Sequence, residues 1–507
     1  MDDATAPADE ILAMTDAETD RQKPAPALLR ALAWVATIVG SFFFLRLFDD
    51  ALIDDVFINL QYSRTLWESG SWGWFPGQTG NTATSPANMV LLAGFGAAVG
   101  DWVLGVIVST WAASIALFAL TLTLSKQATG RVTAGAVAGV ALIANPLLVS
   151  SMGLESHWLL VGLAAMLSAR VARRDWLLGS IAGLTFLVRP DTVVLFALMI
   201  ATWPRRLQLR AALPFSAITA AWVLFSWRVL GSMVLDTLFI KKIQGDSWDS
   251  SLANGLSAYA ETFPFEVITS FLLLPAAVAL FRLDKDSPAA LVTRLVAVLG
   301  LGHFTSYVLL GVAPYHWYYA PLVFSATLLG ALGVDRLWAS GRLLERALAF
   351  SFALGPAVAM ALWLYGQASP VAEMPIQTNL GTHSQYREIG LALADLDLDG
   401  GILHQTEIGT IGFYCRCPVY DVFSDRRIFA HFVRESTSRY ALKSLFYRLN
   451  FYFFRDDEAE VNYPPARYRF VARRPIGSRV TPDEIRRFTV HGRWVPEGAD
   501  LALERIR

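Results

Sequence analysis

Residues 28–48, LLRALAWVATIVGSFFFLRLF, form one long apolar run, and residues 49–70, DDALIDDVFINLQYSRTLWESG, follow it with four aspartates. A run of about 20 apolar residues is long enough to cross a bilayer as a helix. The adjacent carboxylates Asp54 and Asp55 are then predicted to lie near a membrane surface, where removing charge from water is costly. Such a pair suggests a general base, a cation site, or both.

The composition of the whole chain is typical of a membrane protein. It has 507 residues, of which 54% are hydrophobic and 17% charged, and its mean hydropathy is +0.43. Soluble proteins are rarely so apolar, and apolar runs of about 20 residues recur along the sequence. These features predict an all-α multi-pass membrane bundle of about eleven transmembrane helices. The net charge of −1 argues against a nucleic-acid partner, because a phosphate backbone requires a basic surface.

Short clusters of basic residues recur between the apolar runs and predict the orientation. Cytoplasmic loops carry an excess of Lys and Arg, so we expect these clusters to face the cytoplasm. The polar, acidic residues 1–24 then form a disordered cytoplasmic tail. The stretch 87–124 is broken at Gly100-Asp101, and we expect it to cross once and to include a short interfacial or re-entrant piece. The predicted outer segments are 49–85, about 150–156, about 189–191, 231–262, 312–316 and everything after 366.

A change in composition divides the chain into a membrane domain, 25–366, and a polar domain, 367–507. Residues 468–472 and 488–490 alternate with period two, which predicts strands. We therefore expect a small soluble α/β domain on the outer face. The two cysteines, Cys415 and Cys417, are too close in sequence for an easy disulfide, and we expect both to be structural.

The predicted outer segments hold the unusual polar residues. Asp54 and Asp55 begin an amphipathic helix in the first outer loop, 49–86; they could simply cap it, but two carboxylates side by side at a membrane favour a function. Glu155 is either a helix cap or a second carboxylate facing the same cavity. Arg189 belongs either to a buried ion pair or to a substrate path, since ionisable groups at membrane depth usually mark one.

Two lysines and an aromatic turn complete this set. Lys241 and Lys242 break the positive-inside pattern, and a basic residue beside the outer leaflet can hold a lipid phosphate. The alternative is a solvated face, which suits Lys242 better than Lys241. Residues 315–319, YHWYY, are typical of an interfacial aromatic belt, which explains Trp317 better than His316.

Carboxylates, cations and aromatic rings on one face suit the transfer of a sugar from a lipid-phosphate-linked donor. The acceptor hydroxyl needs a base, and a well-placed Asp is adequate. The phosphate leaving group needs a cation for its developing charge rather than a proton donor. Attack from the face opposite the phosphate would invert the anomeric centre.

The order of these residues resembles the GT-C glycosyltransferases, and among them those related to the mycobacterial terminal arabinofuranosyltransferases. The most specific match lies in the first outer loop, and weaker matches follow it in the same order along most of the chain. The matching segments are Asp54-Asp55-x-x-Ile58-x-x-x-Tyr62-x-Arg64-x-Leu66, Phe75-x-Gly77, Thr84-Ser85-Pro86, Gly153-Leu154-Glu155, Arg189-Pro190-Asp191, Asp236-Thr237-x-x-x-Lys241, and Glu407-Ile408-Gly409-x-Ile411-Gly412-Phe413-Tyr414 followed by Pro418-Val419-x-Asp421.

The resemblance implies a GT-C fold in a bacterial plasma membrane, with the active site and the C-terminal domain outside. It implies an inverting transfer of D-arabinofuranose from decaprenyl-phosphoryl-arabinose to an outer glycan or glycoprotein. Three alternatives remain at this stage. The same fold could use polyprenyl-phosphate-mannose, the chain could transport lipid-linked glycans, or it could be a tethered binding protein that works through residues 367–507.

The resemblance also implies roles for individual residues. Asp54 or Asp55 would be the catalytic base, and the position in the motif slightly favours Asp54. Paired carboxylates also suit a divalent cation, although no spacing in the chain defines a complete oxygen shell. The expected phosphate ligands are Lys241, Arg189 and Lys242, and the expected sugar or acceptor contacts are Glu155, Tyr62, His316, Trp317 and Glu407.

Overall fold

The computed structural model describes residues 27–247, 251–367, 370–404, 407–421, 424, 441–454, 465–473, 476–477 and 480–507. Contacts divide the chain into two units, Met1–Phe44 and Leu45–Arg507. The predicted tail 1–24 lies outside the described residues, and so does the side chain of Lys242. The first unit contributes most of helix α1, Ala27–Arg46, whose large side chains Val35 and Phe43 are 56% and 64% exposed.

The second unit is mainly helical. Its helices, in chain order, are α2 Asp54–Ser69, α3 Pro86–Val99, α4 Trp102–Thr129, α5 Thr133–Ile143, α6 Pro146–Ser150, α7 Ser156–Val171, α8 Asp175–Val188, α9 Thr192–Ile200, α10 Arg205–Phe225, α11 Asp236–Ser247, α12 Leu252–Thr262, α13 Pro264–Ser270, α14 Pro288–Leu310, α15 Ala320–Ala339, α16 Leu343–Tyr365, α17 His383–Ala394, α18 Gly409–Cys415 and α19 Ala441–Asn450. Tighter 3₁₀ turns cover Asp49–Ala51, Leu274–Arg282 and His316–Tyr319, and a π-helical turn covers Ser226–Leu230.

Seven helical segments within the described residues are long and apolar enough to cross a membrane. Their exposed large apolar side chains are what a lipid-facing surface requires. Four shorter apolar helices of 10–17 residues, α3, α5, α7 and α8, accompany them. The chain is therefore a multi-pass helical membrane protein, as predicted, and the count of about eleven spans stays a prediction.

The long apolar stretch after the first loop breaks where the sequence predicted. Helix α3 ends at Val99, and its C-cap Gly100 adopts φ +75°. Asp101 caps α4 by accepting a hydrogen bond from the Leu104 amide at 2.8 Å. The start of α3 contacts the loop before α7, through Asn88 and the Gly153 carbonyl at 3.1 Å. Gly100, which follows its other end, lines a cavity of about 410 Å³ together with residues of the Asp49–Ala51 turn and of α17. Both ends of this 14-residue helix thus lie beside the first loop and the C-terminal domain, which supports a single crossing by α4.

Basic residues lie at the end of the bundle away from the first loop. Arg131, just after α4, pairs with Asp335 near the end of α15 at 2.6 Å. Arg170, in the last turn of α7, donates to the Met199 carbonyl at 2.9 Å. A helix of 28 residues such as α4 spans about 42 Å, so these contacts are separated from the first loop by roughly the thickness of a membrane.

The C-terminal residues form a small sheet with helices, as the alternating pattern predicted. The strands are β1 Gly401–Leu403, β2 Val419–Tyr420, β3 Ala466–Arg473, β4 Glu484–Gly492 and β5 Val495–Arg505, in the order β2-β1-β3-β5-β4. Strand β1 pairs in parallel with β2 and β3, whereas β5 pairs antiparallel with β3 and β4. The apolar core of the C-terminal domain is continuous with the first loop, because buried Trp74 and Tyr62 pack in the same cluster as Ile402 and Ile411.

The expectation that Cys415 and Cys417 are not bonded is wrong. The two form a disulfide across one residue, with their Cα atoms 5.1 Å apart, within the range that a disulfide requires. Arg416 lies between them as the left-handed C-cap of α18, with φ 55°. This tight turn brings the two cysteines together, which sequence separation alone did not reveal.

Candidate active site

Asp54 is a helix cap, but for a different helix from the one it begins. Both carboxylate oxygens accept backbone hydrogen bonds from the start of α18, at 2.8 Å from the Gly409 amide and 2.6 Å from the Thr410 amide. The side chain is only 4% exposed. Burial raises the pKa of Asp54 to about 7, against the two amide hydrogen bonds, and the charge of Glu407 adds to the rise. Asp54 is therefore a capping residue, as the simpler interpretation proposed, but it caps α18 and not α2.

Asp55 faces a different set of groups. It is partly exposed, unlike Asp54. Burial raises the pKa of Asp55, and the positive charge of Lys241 opposes that rise. Burial also raises the pKa of Tyr315, and the charge of Asp55 contributes to that increase. The charge of Asp55 therefore interacts with both Lys241 and Tyr315. The two aspartates are adjacent in sequence, but their carboxylates lie in different environments.

Lys241 lies against the aromatic turn that the sequence singled out. Its Nζ atom is 3.8 Å from the centre of the Tyr315 ring and 6.0 Å from that of Trp317. The two rings stack on each other at 4.6 Å. The lysine is 8% exposed. Cation–π contact with stacked rings holds an ammonium group in place in a desolvated site.

The first loop fixes the helix that carries Lys241. The Asn81 carbonyl accepts a hydrogen bond from the Asp236 amide at 2.9 Å, at the start of α11. The Asn81 side chain donates to Ser226 and Ser232, each at 2.9 Å, and Ser232 in turn donates to the Asp236 carboxylate at 2.8 Å. These contacts tie the segment after α2 to α11, so the loop of Asp55 and the helix of Lys241 are positioned together.

Arg189 is the centre of a buried charged network beside the aromatic turn. Its Nη1 lies 2.6 Å from Glu155 Oε1, its Nε lies 3.1 Å from Asp191 Oδ1, and its Nη2 donates to the Tyr307 hydroxyl. The guanidinium lies 4.8 Å from the centre of the Tyr318 ring. Arg189 is 5% exposed, so its donors are committed to these partners. Its expected role as a phosphate ligand stays a prediction.

Glu155 and Asp191 are the carboxylates that balance this arginine. Glu155 stands at the N-cap position of α7 but makes no capping hydrogen bond, so its carboxylate serves Arg189 instead. Burial acts to raise the pKa of Asp191, but the Arg189 guanidinium and the hydrogen bond with His303 hold that pKa well below its usual range. His303 Nε2 is 2.9 Å from Asp191 Oδ2.

Several residues of this site were missed in the sequence. His303 and Tyr307 lie inside the apolar helix α14, where an ionisable residue within a transmembrane run could have been a signal. Tyr315 and Tyr318 were read only as part of an aromatic belt. Their contacts with Lys241 and Arg189 depend on how three distant loops meet, which no local pattern encodes.

The other residues predicted to contact the sugar or the acceptor have partners of their own. Tyr62 is 2% exposed and hydrogen-bonds with Thr82 inside the first-loop core. Glu407 accepts a hydrogen bond from the Leu380 amide at 3.0 Å and belongs to the surroundings of Asp54. His316 is fully buried, with Nε2 3.2 Å from the Ser150 carbonyl. Trp317 does lie in the site, stacked on Tyr315. The sugar or acceptor roles of all four stay predictions.

A divalent cation was an open expectation for the paired aspartates. Within the parts of the chain that the structure describes, no group of three His, Cys, Asp or Glu side chains is placed to hold a metal ion. Both carboxylate oxygens of Asp54 accept backbone amide hydrogen bonds, and the positive charge of Lys241 acts on the Asp55 carboxylate. We assign no step of the chemistry to a metal.

No protein-family model matches the chain, and no curated protein matches it. Several solved structures are similar to the chain. ArnT from Cupriavidus metallidurans bound to undecaprenyl phosphate is similar with a TM-score of 0.56 and 15% identity, over 94% of this chain and 98% of ArnT. The Archaeoglobus fulgidus oligosaccharyltransferase in complex with Zn and sulfate is similar with a TM-score of 0.51 and 10% identity, over 86% of this chain and 67% of that one.

At such identities the similarity shows the fold alone. The chain has the fold of these two proteins, so the resemblance seen in the sequence is confirmed at the level of the fold. Arabinofuranosyltransferase AftD from mycobacteria gives a TM-score of 0.47 at 18% identity, over 76% of this chain and 31% of AftD. That match is too weak to bear on which sugar this chain uses.

Proposed function

We propose that the chain is an inverting glycosyltransferase that moves a sugar from a polyprenyl-phosphate donor to an acceptor outside the membrane. The observation that carries the proposal is the buried ammonium group of Lys241 over the stacked rings of Tyr315 and Trp317, at one end of a GT-C bundle and within electrostatic range of Asp55. A carboxylate, an ammonium group and aromatic rings are the three parts that sugar transfer from a lipid phosphate requires. ArnT, which shares the fold over 98% of its length, was crystallised with undecaprenyl phosphate.

Asp55 is the general base in this proposal. Both oxygens of Asp54 already accept amide hydrogen bonds, and its side chain is nearly inaccessible, so it cannot reach an acceptor hydroxyl. We therefore reverse the slight preference for Asp54 that the motif position suggested. Asp55 is partly exposed, and its raised pKa brings the carboxylate closer to the basicity that proton abstraction near neutral pH needs.

Lys241 is the phosphate ligand in this proposal. The acceptor oxygen attacks the anomeric carbon of the donor, and the bond from that carbon to the phosphate oxygen breaks. The proton of the acceptor hydroxyl goes to Asp55, and the electron pair of the broken bond leaves with the polyprenyl phosphate. Lys241 neutralises the developing negative charge, so no acid is required. The stacked rings of Tyr315 and Trp317 both hold the ammonium and offer a flat surface for a sugar ring.

Arg189 contributes to this site indirectly, through its contacts with the aromatic turn. Its guanidinium lies 4.8 Å from the Tyr318 ring and connects Glu155, Asp191 and Tyr307. Tyr318 packs against Tyr315 at 5.8 Å, so the network contacts the aromatic surface on which Lys241 lies. We propose that Arg189 and Glu155 set the position of the aromatic turn rather than bind the donor directly.

The outer location of the site is part of the proposal. The disulfide between Cys415 and Cys417 supports it, because disulfides persist in oxidising compartments and are rare in the cytosol. The basic residues at the far end of the bundle support it as well, because cytoplasmic loops carry the Lys and Arg excess. We place the protein in a bacterial plasma membrane with residues 367–507 outside.

The sugar that we propose is D-arabinofuranose from decaprenyl-phosphoryl-arabinose, and the acceptor is an outer glycan or glycoprotein. The ordered segments of the first loop support this choice over others. Polyprenyl-phosphate-mannose is the second candidate within the same mechanism. A transporter is disfavoured because the charged groups of the site gather at one end of the bundle instead of lining a path through it.

A donor panel tests the proposal. Purified full-length protein in lipid nanodiscs would be incubated with polyprenyl-phosphate-arabinofuranose, with polyprenyl-phosphate-mannose and with a panel of outer glycans, and the released polyprenyl phosphate would be measured. We expect release with the arabinofuranose donor and a product of inverted anomeric configuration. Release from the mannose donor alone would replace the sugar but keep the mechanism. A retained configuration would refute it.

A further inference from the structure

A basic cavity lies at the end of the bundle opposite the candidate active site. Its volume is about 250 Å³, and its charged lining consists of Arg282, Arg336, Arg342 and Glu345. Arg336 is near the end of α15, whose first residue follows the aromatic turn. Because α15 has 20 residues and rises about 1.5 Å per residue, the cavity is about 30 Å from that turn along the helix axis.

Positive charge is in excess in this cavity. The Glu345 carboxylate accepts from Arg282 at 3.4 Å and from Arg342 at 3.3 Å. Arg336 donates to the Arg282 carbonyl at 3.4 Å. The lining thus holds three guanidinium groups and one carboxylate, which leaves two positive charges uncompensated within it. The side chains of Arg282 and Arg342 are 68% and 75% exposed, so the cavity is open to a ligand from outside.

Exposed apolar side chains adjoin the arginines on both sides. Phe281, next to Arg282, is 91% exposed, and Leu343, next to Arg342, is 86% exposed. In a helical membrane protein such side chains face hydrocarbon, and arginines beside them extend to the level of the lipid head groups. The cavity therefore opens where a phosphate group and an acyl chain occur in the same molecule.

We propose that this cavity binds the phosphate of an anionic phospholipid. The planar guanidinium presents paired N–H donors that match phosphate oxygens, and basic pockets between transmembrane helices on the cytoplasmic side are suited to anionic head groups. The lipid would bridge the Leu274–Arg282 turn to the beginning of α16. This site is separate from the one proposed for the donor, and the inference rests on the membrane orientation proposed above but not on the transfer reaction.

Native mass spectrometry of the full-length protein, released from detergent with added phosphatidylglycerol or phosphatidylcholine, would test the site. The variant Arg282→Gln/Arg336→Gln removes two of the three cavity cations. We expect it to bind phosphatidylglycerol at least about tenfold more weakly than wild type, because each lost charge-assisted hydrogen bond weakens binding by about this factor. Arg342→Gln, which changes one exposed residue, serves if the double variant does not fold.

The matched control is Arg205→Gln/Arg206→Gln, which removes two exposed arginines at the start of α10 that do not line the cavity. We expect this control to bind phosphatidylglycerol as wild type does, and phosphatidylcholine to bind weakly to all three proteins. Equal weakening by both double variants would show a diffuse charge effect and would overturn the proposal. Displacement of phosphatidylglycerol by an equal concentration of inorganic phosphate would overturn the assignment to a lipid.

Discussion

Asp54 makes the attachment of the C-terminal domain to the first loop depend on pH. Its pKa rises from 3.8 to about 7 through burial, so the folded chain keeps a proton that the unfolded chain loses. At 1.36 kcal/mol for each pKa unit, the shift of about three units corresponds to about 4 kcal/mol. The contribution of Asp54 to the free energy of unfolding is therefore fully present below about pH 4. It falls as the pH rises from about 4 to about 7 and does not change further above about pH 7.

The variant Asp54→Asn removes this titration. Its amide oxygen can still accept from one of the two α18 amides, but its NH₂ group faces the other, so the variant loses a hydrogen bond at every pH. Its stability should lack the decline of about 2.5 kcal/mol that wild type shows from Asp54 between about pH 5 and about pH 8. Hydrogen exchange at the Gly409 and Thr410 amides across this range measures the effect locally.

Groups near Asp54 contribute to the same measurement, so the comparison is made between variants. Burial also raises the pKa of Asp55, and the charge of Glu407 contributes to the raised pKa of Asp54. Both remain in Asp54→Asn, and the difference from wild type isolates Asp54. Asp50→Asn, on the exposed side of the preceding turn, is the matched control and should follow wild type. If Asp54→Asn shows the same pH dependence as wild type, the reasoning about this carboxylate is refuted.

Three further changes probe the remaining parts of the site. Lys241→Met should lower kcat/KM for the lipid donor by about 10–100-fold in steady-state kinetics, since it removes a charged hydrogen bond to phosphate, and an unchanged value would exclude the assigned role. Arg189→Gln should cost about 3–5 kcal/mol in thermal unfolding because it leaves buried carboxylates unbalanced; a loss below about 1 kcal/mol would argue against the network. Gly409→Ala would place a Cβ 2.2 Å from the Asp54 carbonyl and should make the C-terminal domain sensitive to trypsin. The control Gly94→Ala has open space around the new Cβ and should stay resistant. Equal resistance of both variants to trypsin would contradict the close contact between Gly409 and Asp54.

The membrane character, the break at Gly100 and the strands of the C-terminal domain were predictable because each depends on local pattern. Apolar runs, a left-handed glycine and period-two alternation are properties of neighbouring residues. The role of Asp54 was not predictable in this way. Its partners, Gly409 and Thr410, are more than 350 residues away in the chain. The disulfide escaped prediction for a local reason, since it depends on the left-handed conformation of Arg416.

The candidate site was predictable in its composition but not in its connections. Asp55, Glu155, Arg189 and Lys241 were identified as functional candidates because charge at a membrane surface is costly and therefore informative. The sequence could not show that Arg189 is engaged by Glu155 and Asp191, while Lys241 lies over Tyr315. Those contacts depend on the meeting of loops from several helices, which is a property of the tertiary fold.

The most direct test of the central claim compares Asp55→Asn with Asp54→Asn in a transfer assay with purified protein and a polyprenyl-phosphate sugar donor. If Asp55 is the base, Asp55→Asn should lose about 10²–10⁴-fold in kcat while its thermal unfolding stays close to that of wild type. Asp54→Asn should retain transfer at a pH where Asp55 is ionised, because the Asp54 side chain is bound to the Gly409 and Thr410 amides and does not reach the acceptor. Wild-type turnover by Asp55→Asn, or a complete loss confined to Asp54→Asn at every pH, would contradict the account.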